Sequence, residues 1–194
     1  MPDPGLTPLS PLGGHDERIG SLRLSEVTDL ALVSLAVPRN GDAAFAAALQ
    51  AAYGIQPPDA GRTVRAAGGE RLIWTGPEQF FLAFPHPGGM ADRAVAERFG
   101  DAAYLTDQSD AWAWLAFAGP GVREALARIC PLDLHPDVFG IDNAARTMME
   151  HLGVLIICRG PDDYLLASAR SSAQAFLHAL QVSAYNVTGD AAPD

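Results

Sequence analysis

Apolar and polar positions along this chain fall into short blocks whose period changes between two and about four. Leu30 to Val37 (LALVSLAV) is an apolar run closed by Pro38, the pattern of a strand buried on both faces. Phe45, Ala48, Leu49 and Ala52 then recur at helical spacing and predict a helix ending near Gly54. Arg62 to Ala66, Arg71 to Trp74 and Phe80 to Phe84 read as strands, the last two joined by a turn containing Gly76-Pro77. A helix after Gly88-Gly89 runs through Ala94 and Phe99, and Ala103 to Leu105 gives one more short strand.

The same order returns. Trp112 to Phe117 reads as a strand, Gly119-Pro120-Gly121 as a turn, and Val122 to Ile129 as a helix stopped by Pro131. Arg146 to Glu150, Gly153 to Cys158 and Tyr164 to Ala167 are strand-like, Ser171 to Leu180 is helical, and Tyr185 to Val187 predicts a closing strand. The letters repeat as well: LIWTGPEQFFLA from Leu72 aligns without a gap on IICRGPDDYLLA from Ile156. The expected fold is therefore α+β, two ferredoxin-like βαββαβ half-repeats packed together so that each covers a sheet face of the other. The expected boundaries are an extended N-terminal arm over residues 1–20, a first repeat over 21–105, a second over 106–188, and a polar tail over 189–194. The arm carries Pro2, Pro4, Pro8 and Pro11; it either lies along another surface or has no fixed structure.

Composition narrows what such a fold can do. A formal net charge of -10 argues against nucleic acid and against anionic membrane surfaces as partners. All 13 basic residues are arginine, which removes a lysine Schiff base and the lysine of a phosphate-binding P-loop. Two cysteines, Cys130 and Cys158, are too few for a disulfide framework and sit in apolar patterns, as buried free thiols do. The N-terminus lacks the basic and apolar regions of a secretory signal, and no apolar run approaches the roughly 20 residues of a membrane helix, so the expected compartment is the cytoplasm.

Candidate chemistry concentrates between Thr106 and His135. Asp107, Ser109 and Asp110 can be read as a base beside a nucleophile, or as an exposed polar turn before a strand. Trp112 and Trp114 alternate on that strand and share a face, where they line a ligand platform, anchor an interface or fill the core. The Gly119-Pro120-Gly121 turn lacks the GxGxxG spacing of a dinucleotide site. The five histidines show no i, i+4 pair and no HExxH, so no metal ligands are assigned.

The segments SPLGG, WTGPEQFFL, DQSDAWAWLAFAGPGVREALARICPLDLHP and ARTMMEHLGVLI, with a terminal helix rich in alanine and serine, together resemble the gamma subunit family of bacterial heterotetrameric sarcosine oxidase. The resemblance spans almost the whole chain. It implies a complex with alpha, beta and delta subunits that oxidatively demethylates sarcosine to glycine with oxygen and tetrahydrofolate, giving hydrogen peroxide and 5,10-methylenetetrahydrofolate. It further implies that FAD, FMN, NAD, zinc and tetrahydrofolate belong to the partner subunits, and that this chain is a non-catalytic assembly subunit whose direct contact is the alpha subunit. The family is also similar in fold to the folate-binding aminomethyltransferase group, which leaves a folate-binding one-carbon module as the alternative. No folate-contacting residue carries over. On this reading Asp107, Ser109, Asp110, Trp112 and Trp114 become candidates for subunit contact.

Overall fold

The structure is a computed structural model that describes residues 9–190. In chain order its strands and helices are β1 (Asp16–Ile19), β2 (Leu22–Val27), β3 (Leu30–Ala36), α1 (Asp42–Tyr53), β4 (Thr63–Arg65), β5 (Arg71–Gly76), β6 (Gln79–Pro85), α2 (Ala91–Phe99), β7 (Tyr104–Asp107), β8 (Trp112–Ala118), α3 (Val122–Ala127), β9 (Ala144–Met149), β10 (Leu152–Gly160), β11 (Asp163–Ala169) and α4 (Ala173–Thr188). They form two antiparallel sheets, one ordered β4-β5-β6-β3-β7 and the other β1-β2-β8-β11-β10-β9.

Two ferredoxin-like units stand back to back. α1 and α2 cover one face of the five-stranded sheet through Phe45, Leu49, Val95 and Phe99, which pack on Phe80 and Phe84. α3 and α4 do the same for the six-stranded sheet through Leu126, Phe176 and Leu180 on Phe117 and Tyr164. The remaining two faces meet in a layer of Leu32, Ile73, Phe81, Trp114, Leu155, Ile157 and Leu165. Strands at the middle of such a stack have no wet face. Accordingly β6 and β11 run five consecutive buried residues each instead of alternating.

Registers carry the duplication into the backbone of β3–β6 and β8–β11. Ala36 lies opposite Gln79, and Ala118 opposite Asp163; Thr63 lies opposite Ile73, and Ala144 opposite Ile157. Both Gly-Pro hairpins carry a bulge at the same place, between Trp74 and Gly76 and between Cys158 and Gly160. In each, the residue after the first strand donates its N–H to the carbonyl of the turn's acidic residue: Val37 to Glu78 and Gly119 to Asp162, both 2.9 Å. The aligned letters thus encode matching hairpins, down to the irregularity.

The halves join around a local two-fold. Thr63 N–H donates to Asp142 O and Ala144 N–H to Gly61 O, each at 2.8 Å, with Arg62 bridged to Asn143 between them. Gly61 and Asp142 occupy equivalent positions and both have positive φ, 73° and 64°. One side adds a charge pair that the other lacks. Arg71, 6% exposed, places Nη1 2.7 Å from Asp142 Oδ1, whereas its counterpart is Leu155.

One expected element is absent and another replaces it. Tyr185 to Val187, read as a closing strand, is the last turn of α4. Nothing in AQAFLHALQVSAYNVT breaks a helix before Gly189, which ends it in the left-handed conformation with its N–H on Tyr185 O, 3.0 Å. The vacant edge of the second unit is filled by β2, paired antiparallel to β8. The boundary expected between residues 20 and 21 therefore falls inside the β1–β2 hairpin. β1 is fastened to α4, since the Glu17 carboxylate accepts from Tyr185 Oη and from Gln181 Nε2 at 2.7 Å. Residues 1–8 of the arm and 191–194 of the tail lie outside the described residues. Among the described residues no helix is long and apolar enough to cross a membrane.

Candidate functional site

At one end of the inter-sheet layer the starts of β3 and β8 and the ends of β2 and β6 diverge, leaving a cleft of about 380 Å3. All five residues singled out in the sequence, Asp107, Ser109, Asp110, Trp112 and Trp114, line it. The fold gathers them because β7 ends at the cleft and a single 3₁₀ turn, Ser109–Ala111, leads into β8.

Their side chains have different occupations. The Asp107 carboxylate accepts the N–H of Ala91, first residue of α2, at 2.8 Å, and the N–H of Ser109 at 2.9 Å. Met90, at the N-cap position, has no side-chain oxygen, so Asp107 supplies the acceptor from the end of β7. Burial alone would raise the Asp107 pKa, but the hydrogen bonds from Ser109 and Ala91 outweigh it and hold the group below its ordinary 3.8. The Ser109 hydroxyl accepts the N–H of Leu32 at 3.0 Å, which ties β3 to the turn. A serine and a carboxylate that looked like a base and a nucleophile are thus both holding backbone. Asp110 is different. Its side chain is fully exposed and its carboxylate lies 3.8 Å from Arg170, a separation at which an exposed pair contributes little.

The tryptophans divide in the same way. Trp114 is 3% exposed and belongs to the inter-sheet layer. Trp112 is half-buried at the rim of that layer, edge-on to Phe81 at 5.8 Å, with the Arg146 guanidinium 5.6 Å from both rings. The indole N–H of Trp114 and Nε2 of His86, which also lines the cleft, have no hydrogen-bond partner among the described residues.

Glu26, His86 and Arg170 line the same cleft and were not singled out by sequence. For Glu26 a signal did exist. Register pairs Glu26 with Leu115 and Asp107 with Val33, which are equivalent positions of the two units. Arg23-Leu24-Ser25-Glu26 therefore matches Tyr104-Leu105-Thr106-Asp107, the same leucine–hydroxyl–acid string on the fifth strand of each sheet, counted from β4 and from β9. Both acids end on backbone. The Glu26 carboxylate accepts from Leu12 N at 3.1 Å, Gly14 N at 2.7 Å and Ser10 Oγ at 2.5 Å. Arg170 donates to Leu9 O, and Gln174 Nε2 to Pro11 O at 3.3 Å, so residues 9–14 are fastened along the cleft and the start of α4.

Both cysteines are buried free thiols, and burial pushes the Cys130 thiol up, away from nucleophilic use.

The family described as sarcosine oxidase, gamma subunit family, matches residues 39–186. The chain belongs to that family. A gamma subunit of sarcosine oxidase from an Arthrobacter species is 34% identical over 139 residues, covering 71% of this chain and 67% of the relative. The gamma subunit from Corynebacterium sp. strain P-1 is 28% identical over 160 residues, 82% of this chain and 78% of that one. Among solved structures, a chain of the heterotetrameric sarcosine oxidase from Corynebacterium sp. U-96, in complex with pyrrole 2-carboxylate, is 27% identical with a TM-score of 0.76, covering 92% of this chain and 90% of that chain. The aminomethyltransferase T of the glycine cleavage system from Bartonella henselae shares the fold at 16% identity and a TM-score of 0.62, over 87% of this chain and 50% of that chain. The expected family and the expected α+β duplicated fold both hold.

Proposed function

We propose that this chain serves as the gamma subunit of a heterotetrameric sarcosine oxidase, and that its part there is assembly rather than chemistry. The observation that carries the second clause is the use of the cleft's reactive-looking groups: Asp107 and Ser109 spend their side chains on Ala91, Ser109 and Leu32 backbone. The cleft rim with Asp110 and Trp112 is the face offered to the alpha subunit. FAD, FMN, NAD, zinc and tetrahydrofolate belong on this reading to the partner chains, in the cytoplasm. A tagged chain co-expressed with alpha, beta and delta is expected to copurify with all three, and leaving it out is expected to lower the yield and thermal stability of the remainder. Partner chains that assemble and turn over sarcosine equally well without it would remove the assembly role.

A second reading, a folate-binding one-carbon module, draws on the cleft itself, whose volume is within the range of small-molecule sites. Calorimetric titration of the full chain with tetrahydrofolate separates the two: binding in the absence of partners favours the module, and no heat favours assembly.

A further inference from the structure

The fifth strands of the two sheets, β7 and β2, differ in what lies outside them. In the six-stranded sheet β2 is flanked by β1, paired from Asp16–Ser25 to Ile19–Leu22, and the outward N–H of Glu26 donates to His15 O at 2.7 Å. In the other sheet β7 ends the order, with no strand beyond it among the described residues. Its outward groups can be named. Gln108 N–H donates to Leu32 O at 2.8 Å, so by antiparallel alternation Thr106 and Tyr104 face β3 while Leu105 and Asp107 turn N–H and C=O away from it. Neither of those two N–H groups has an acceptor among the described residues.

Apolar side chains stand at both ends of the strand. Tyr104 begins it at 70% exposure, and Met90, 56% exposed, adjoins Asp107 through the bond to Ala91. Open backbone between exposed apolar side chains is a template for strand addition. A second copy is a poor occupant, since both copies carry a net charge of -10. We propose that β7 receives an extended, basic segment of a partner subunit, complementary to this chain's net charge of -10, as an antiparallel sixth strand, in the place β1 holds on the other sheet. The proposal rests on the gamma-subunit reading.

Hydrogen exchange on the full chain, alone and in the assembled complex, tests it directly. The amides of Leu105 and Asp107 are expected to slow by about a hundredfold on assembly. Leu105→Pro removes an N–H that β3 does not use, and Leu105→Ala removes the same packing while keeping that N–H. The proline variant is expected to assemble at least about tenfold more weakly than the alanine variant, the worth of a lost hydrogen bond. A chain that copurifies with its partners while both amides exchange as they do alone overturns the edge proposal and leaves the gamma-subunit reading standing. Equal assembly of the two variants also overturns it. Protection already present in the chain alone assigns the edge to this chain or a second copy and overturns it too. A chain that captures no partner overturns both readings.

Discussion

The two halves of this protein share a backbone pattern and differ in where their fifth strand comes from. The first half takes β7 from its own end, after α2, as a ferredoxin-like unit does. The second half runs α4 on to Thr188 and takes its fifth strand, β2, from the other end of the chain. The local pattern of the strand is alike in both cases, so a leucine–hydroxyl–acid string can occupy that edge from either side. The difference is in dependence. The second unit is incomplete until residues 22–27 have crossed the molecule, so its edge is a long-range contact in sequence, a kind that closes late and costs loop entropy.

The sharpest way to break the comparison is at the crossing. Gly119 has φ +121, and a Cβ built on it would lie 2.2 Å from Ser21 O and 3.2 Å from Leu22 Cα. Its equivalent, Val37, makes the same hydrogen bond to its turn with a side chain in place. Gly119→Ala must therefore push the β1–β2 hairpin off β8. We expect a loss of at least about 4 kcal/mol, read as a fall in the denaturation midpoint, through the combined cost of strain and a displaced strand. Val37→Ala, which removes only apolar contacts, is expected to cost about 2 kcal/mol. Equal losses at the two positions would mean that β2 is not held as tightly as its register implies.

That asymmetry also marks where the sequence was readable. The paired hairpins were legible because turn chemistry and unbroken apolar runs are local, and both Gly-Pro turns delivered the bulge as well as the bend. The helical end of α4 was misread because Tyr185-Asn186-Val187 has strand-like composition, while the helix is favoured by its continuous buried face, from Phe176 to Ala184, and by Gly189. β2 was missed because no local signal says which sheet a strand joins; only the match between Arg23–Glu26 and Tyr104–Asp107 does. In the site, five residues were found because they are contiguous in sequence. Glu26, His86 and Arg170 were not, because they come from three distant strand ends.

A smaller effect sharpens the comparison at the two-fold, where the halves differ by one ion pair. Arg71→Leu restores the residue found at Leu155 and leaves Asp142, 39% exposed at its side chain, without its partner. Asp142→Gly restores the residue found at Gly61, at a position whose φ of 64° suits glycine, and strands a guanidinium that is 8% exposed. Each single change is expected to cost about 2–3 kcal/mol, with the second the larger because the buried partner is left charged. The double variant is expected to recover most of the loss, since it makes both sides of the two-fold alike. Additive losses in the cycle would show that the pair is not coupled and that Arg71 is held by Thr63 Oγ1, 2.5 Å away, instead.

The smallest and most specific effect belongs to the paired acids on the fifth strands, Asp107 on β7 and Glu26 on β2. Asp107→Ala leaves the first N–H of α2 and that of Ser109 without their acceptor, and is expected to cost about 1 kcal/mol near neutral pH. The Asp107 pKa is lower in the folded chain than the ordinary 3.8, so its contribution is complete above that value and is lost as pH falls through the lowered one. The gap between wild type and Asp107→Ala should therefore close in acid, below about pH 4, in denaturant titrations taken across that range. A gap that stays constant with pH would remove the charged cap as its cause. Glu26→Ala acts on the other sheet, where the carboxylate holds residues 10–14 rather than a helix. Its expected readout is faster amide exchange at Leu12 and Gly14, with α2 untouched, so the two acids do the same chemistry for different clients: one caps a helix, the other fastens the strand-crossing arm on which the second half depends.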